Sequence, residues 1–172
     1  MATLADYVRG CLETRLSQAL LVLWKSKSSV HDYWMGSVGP LISELGYTSV
    51  TTSLAGPSDE SPAAILIKNV GPHPIDFDES RFYEALERAT AHWHEKHTRI
   101  VLLLDRFERW NEDRWRDQEF AFRSFLEANQ DRLFPVLVCS DPPSWRRQFL
   151  SVHSPLYRQG MMITVSGNGN VA

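Results

Sequence analysis

The sequence predicts an α/β fold, a three-layer sandwich with a mostly parallel central sheet flanked by helices. Short unbroken apolar runs recur along the chain, at 19–24, 100–104 and 134–139. Runs of this kind suit strands buried on both faces. Between them, apolar residues fall at three- and four-residue spacing, the helical period. Strands that alternate with helices build a parallel sheet covered on both sides.

The elements follow in order. Residues 3–17 place Leu4, Tyr7, Val8, Cys11, Leu12 and Leu16 on one helical face. The first strand, 19–24, opens into a polar stretch, 25–29. A helix over 30–45 follows, weakened by Gly36, Gly39 and Pro40, with Gly46 placed to stop it. Residues 47–54 are β-branched and alternating, which predicts a strand. Turn formers crowd 55–62, and 63–70 then reads as a second buried strand. Asp76 and Glu79 offer a capping box for a helix carrying Phe82, Leu86, Ala89 and Trp93. The next strand is 99–104. Asn111 or Asp113 caps a helix carrying Trp115, Phe122, Phe125 and Leu126. A strand over 134–140 leads to a helix over 142–150, with proline tolerated in its first turn. The last strand is 161–165. A single α/β domain over 1–166 is expected, with 167–172 a flexible C-terminal tail.

Composition narrows the function classes. A formal charge of −3 gives no electrostatic case for nucleic acid or an acidic membrane as partner. No apolar run approaches the roughly 20 residues that span a bilayer, and no secretory pattern opens the chain, so a cytoplasmic location is expected. The two cysteines, Cys11 and Cys139, form no disulfide framework.

In open parallel sheets, ligands bind beyond the carboxyl ends of the strands. Three polar clusters should gather there: Lys25, Lys27 and Ser28; Asp105 and Glu108; Ser140 and Asp141. The order of elements, with one strand ending in "LLLDRFE" and a later one in "VCSD", resembles the core of a P-loop ATPase of the AAA-like and signal-transduction (STAND-type) branches. That resemblance implies a metal role for Asp105, a water-directing role for Glu108, and a sensor position at Ser140 or Asp141. It also implies a phosphate loop, G-x-x-x-x-G-K-[ST], whose glycines let backbone amides turn onto phosphate. Here only Lys27-Ser28 matches, and the two glycine positions hold Leu21 and Ser26. The resemblance is therefore to a degenerate core lacking that loop.

A competing resemblance is to PD-(D/E)xK nucleases, in which a helix precedes a β-hairpin bearing an Asp and an acid-x-Lys. Asp59 and Lys68 would fill two positions, while Leu66 stands where the second acid belongs. His92, His94 and His97 invite a zinc reading, but only His94 and His97 share a helical face, and a solvated helix end is the better expectation. His153 is a lone loop histidine, and no G-x-S-x-G elbow exists. Arg106, Arg109, Trp110 and Trp115 combine the residue types that interface hot spots use, so they are candidate partner-binding residues.

The expectation is a non-catalytic regulatory or protein-interaction module on a degenerate NTPase-like core. It would take a protein partner and no resident cofactor, beyond weak ATP and Mg²⁺ affinity near Lys27. One alternative is a divergent Mg²⁺-dependent nucleotide hydrolase using Asp105 and Glu108. Another is a nuclease-like domain that binds nucleic acid without cutting it.

Overall fold

The computed structural model describes residues 2–96, 98–156 and 160–172. Its centre is a six-stranded sheet in the order β2-β3-β4-β1-β5-β6. The strands are β1 (Ala19–Trp24), β2 (Thr48–Ser53), β3 (Ile100–Asp105), β4 (Leu133–Cys139), β5 (Gly160–Ser166) and β6 (Asn170–Val171). All pairings are parallel except the last, β5 with β6. Every residue of β1 and β4 is buried, as their unbroken apolar sequences require.

Helices cover both faces. One carries α1 (Leu4–Glu13), α2 (Val30–Tyr33) and α3 (Gly39–Glu44); Leu4, Val8 and Ile42 of these helices, with Trp34 between α2 and α3, pack on Leu20, Val22, Val101 and Val136. The other carries α4 (Pro62–Val70), α5 (Phe82–Thr90), α6 (Arg116–Ala128) and α7 (Pro142–Phe149). These pack on Leu21, Leu102, Leu104 and Leu137. Among the described residues, no helix is long and apolar enough to cross a membrane.

Local chemistry explains the helix boundaries. Thr3 and Asp6 form a reciprocal capping box at the start of α1. Between α2 and α3 the chain widens into a π-helical turn, Trp34–Val38, in which the Gly39 amide donates to the Trp34 carbonyl. Pro40 has no amide to donate and its ring would crowd a regular turn; the wider turn accommodates both and keeps the helix continuous.

Three expectations are corrected. Residues 63–70 are helix α4 and not a strand: Ser61 caps it, accepting from the Ala64 amide at 3.1 Å, with Pro62 in the first turn. A continuous apolar run cannot by periodicity tell a buried helix from a strand. Asp78, not Asp76, caps the turn before α5 by accepting from Ser80. Neither Asn111 nor Asp113 caps α6; two 3₁₀ turns, Phe107–Asn111 and Asp113–Trp115, lead into it. Residues 167–172 turn back on the fold, where β6 pairs with β5 and bridges to Thr3.

Candidate functional site

Because β1, β3 and β4 run parallel with β4 between the other two, their carboxyl ends share one edge. Residues 25–29, Asp105–Glu108 and Ser140–Asp141 therefore come together as the sequence anticipated. The helix after β1 covers one face of the sheet and the helix after β4 covers the other, so the crevice between these two strands is where ligands of such sheets bind.

Asp105 closes β3 half-buried, its Oδ1 accepting from the Arg106 amide at 2.8 Å. Burial pushes its carboxyl above the ordinary range, against the opposing pull of that amide, Arg106 and His31. Arg106 adopts a left-handed backbone, with φ of 59°, a conformation that costs a non-glycine residue strain. The resulting turn brings Glu108 back under the edge. Glu108 pairs with the Arg106 guanidinium at 3.2 Å and accepts from the Ser140 amide at 3.4 Å. Its carboxyl is also raised by burial, with Asp105 adding to the rise. Asp141 is exposed and caps α7, accepting from the Ser144 amide at 2.9 Å; hydrogen bonds from the Ser144 side chain and then its amide lower the Asp141 pKa.

The loop after β1 is closed largely by its own side chains. The Trp24 indole donates to the Ser28 carbonyl at 2.9 Å, and the Ser28 amide donates to Ser26 Oγ at 3.2 Å. Ser29 caps α2 by accepting from the Asp32 amide. The Lys25 amide is taken by the Val165 carbonyl at 2.8 Å, and Ser26 Oγ donates to the Gly167 carbonyl. Lys25 and Lys27 are exposed.

Beside this crevice, a groove of about 380 Å³ lies over the ends of β2 and β3, lined by His31, Thr51, Thr52, Ser53, Asn69 and Asp105. Thr52 is buried and its hydroxyl has no protein partner. Sequence reading missed His31, Thr52 and Asn69, because only the register of β2 on β3 and the helical state of 62–70 bring them beside Asp105.

Several sequence-stated roles change. Trp110 and Trp115 are buried, at 1% and 7% exposure, so neither can be a docking surface in the folded chain. Arg109 is committed internally: its guanidinium donates to the carbonyls of Gly56, Pro57 and Glu60 at 2.8–2.9 Å. Arg106 alone of the four is exposed. The nuclease-like hairpin is not formed, because β2 pairs in parallel with β3 and Lys68 lies exposed on α4. Leu66, at the acid's position, is fully buried. His92 is half-buried and His94 contacts Arg132, while His97 lies outside the described residues. Among the described residues, no cluster of three or more His, Cys, Asp or Glu could hold a metal ion.

No family model matches the chain. No curated protein matches it either. Solved structures do. The ORC2 protein of Aeropyrum pernix, in its ADPNP-ADP complexes, superposes with a TM-score of 0.63 at 13% identity, over 95% of this chain and 46% of that one. A Walker-type ATPase of Pyrococcus abyssi gives 0.58 at 12% identity, over 96% and 54%. Drosophila ORC bound to DNA gives 0.55 at 10%, over 93% and 40%. The chain spans about half the length of these proteins. The likeness is one of fold: these proteins share the α/β core of parallel sheet and flanking helices described above.

Proposed function

We propose that the chain is a degenerate NTPase-like core, one α/β unit that acts as a regulatory or protein-interaction module without hydrolysing nucleotide. The observation that supports this reading is the loop after β1. It has five residues, no glycine, and amides of Lys25 and Ser28 already bonded within the protein. A phosphate cradle needs such amides free and turned inward. The C-terminal turn adds to the obstruction, since Gly167 lies against Ser26. Glu108, the expected water-directing carboxylate, is held by Arg106 and the Ser140 amide. At the same edge Lys25, Lys27 and Arg106 face solvent beside one exposed carboxylate, Asp141, while Asp105 and Glu108 are half-buried. An edge that shows cations outward suits an acidic segment of a protein partner.

The alternative is a divergent Mg²⁺-dependent hydrolase, favoured by one observation: Asp105 and Glu108 lie close enough for Asp105 to raise the Glu108 carboxyl. Thermal melting with ATP, with and without Mg²⁺, separates the two. A ligand at a hundred times its Kd adds about 2.7 kcal/mol of stability. The proposal expects no shift at millimolar ATP. A Mg²⁺-dependent shift that Asp105→Asn abolishes would replace it with the hydrolase reading.

A further inference from the structure

The opposite edge of the sheet, where β3 and β4 begin, holds a cavity of about 290 Å³. Its floor is apolar, formed by Ile100 and Leu133, the first residues of those strands, and by Phe125 of α6. Trp93, half-buried in the 3₁₀ turn after α5, forms a wall. Lys96, Arg99 and Arg132 line the same space, against Asp131 as its one carboxylate among the described residues. In a chain of net charge −3, this is a local inversion of sign.

The cations are held differently. Arg99 is fixed: its guanidinium donates to the carbonyls of Leu16 at 2.6 Å and Gln130 at 3.2 Å and lies 5.6 Å from the Phe134 ring centre. Its Nε is buried with no partner. Arg132 is exposed, braced by His94 Nδ1, with its Nε 4.0 Å from the Asp131 carboxylate, and Lys96 is exposed. Two neutral groups of the lining are already committed within the protein. The Thr90 hydroxyl is spent on the Leu86 carbonyl, and the Asn129 amide on that of Phe125. What remains for an incoming molecule is an aromatic and aliphatic floor with positive charge beside it.

We infer that this cavity binds a small aromatic anion, its ring against the half-buried Trp93 and its carboxylate or phosphate on Arg132 and Lys96. Its volume lies at the lower end of small-molecule sites, about 300 Å³, which suits one ring system with one anionic group. The aromatic side chains favour a flat ring, and an arginine fork binds carboxylate or phosphate through paired donors.

Phenyl phosphate and indole-3-acetate are the probes, each titrated into the full chain by calorimetry and by amide chemical shifts. At least one should bind saturably and shift amides near Trp93 and Arg132. The Lys96→Ala/Arg132→Ala double variant should keep its melting temperature and lose affinity by roughly tenfold or more, as expected when charge-assisted hydrogen bonds are removed. Trp93→Leu should weaken both probes while leaving any response to inorganic phosphate unchanged. Lys27→Ala, at the other edge, should change nothing, which keeps this result separate from the nucleotide question. Absence of saturation by millimolar probe would overturn the proposal. So would equal binding by the double variant, or tighter binding of inorganic phosphate or a single-stranded oligonucleotide than of either aromatic probe.

Discussion

The indole of Trp110 stacks on the ring of Phe122, with centroids 4.9 Å apart and planes 28° from parallel. Phe107 meets the same indole edge-on at 5.1 Å. Trp110 is therefore a keystone of the core under the turn that follows β3. Trp110→Ala should cost about 3–5 kcal/mol, the range for deleting a buried aromatic, read as a lower midpoint in urea. A loss under 1 kcal/mol would mean that this aromatic cluster is not packed as described.

Arg109 supplements the single backbone bond within segment 56–60, Glu60 amide to Pro57 carbonyl, by binding the carbonyls of Gly56, Pro57 and Glu60 together. A lysine offers a point charge in place of a planar fork and cannot reach all three in that geometry. Arg109→Lys should cost about 1–3 kcal/mol and open the bond after a residue of 56–60 to limited proteolysis. Unchanged cleavage would show that the loop holds without the clamp.

Glu119 lies buried in α6, with one carboxyl oxygen lacking a partner. Burial raises its pKa from 4.5 to about 8, opposed only by Arg116. Between those values the folded chain holds a proton that the unfolded chain has lost. Stability from this group is thus complete below pH 4.5 and drains away as pH climbs to 8. Glu119→Gln cannot ionise, so its stability relative to the parent should rise by roughly 2–4 kcal/mol across that window. Urea midpoints at the two ends measure it. Parallel pH profiles would place the carboxyl in water.

Gly169 has φ of 86°, and a Cβ there would overlap the ring of Tyr33. Both constraints act at once, so Gly169→Ala should cost about 1–3 kcal/mol. Amide exchange should quicken in β6 and in the loop after β1, which the Gly167 carbonyl touches through Ser26. Faster exchange confined to β6 would show the two segments to be independent.

The strands were readable from residues because β1 and β4 are buried throughout, and β3 up to Asp105, and so carry unbroken apolar sequence. Once they are parallel, the meeting of Lys27, Asp105 and Ser140 on one edge follows from topology. The 63–70 segment misled because six apolar residues, five of them buried, fit a strand as well as a helix, although "SP" before it is a helix start. Trp110 and Trp115 looked available because charged neighbours surround them. Short 3₁₀ turns break the helical period there, and only the packing shows that both rings point inward. Arg109 was opaque for another reason. Its partners lie some fifty residues earlier, in a loop with no local signal of what it would touch.

The pairing of Thr3 with Asn170, with the Leu4 amide on Gly169 and the Val171 amide on Ala2, fastens the two ends of the described fold to each other. Any polypeptide fused to either end would leave from a single corner, next to Ser26 and the loop after β1. A donor and an acceptor fluorophore attached there would start in near-contact, so their energy transfer would act as a gauge of whether that corner opens.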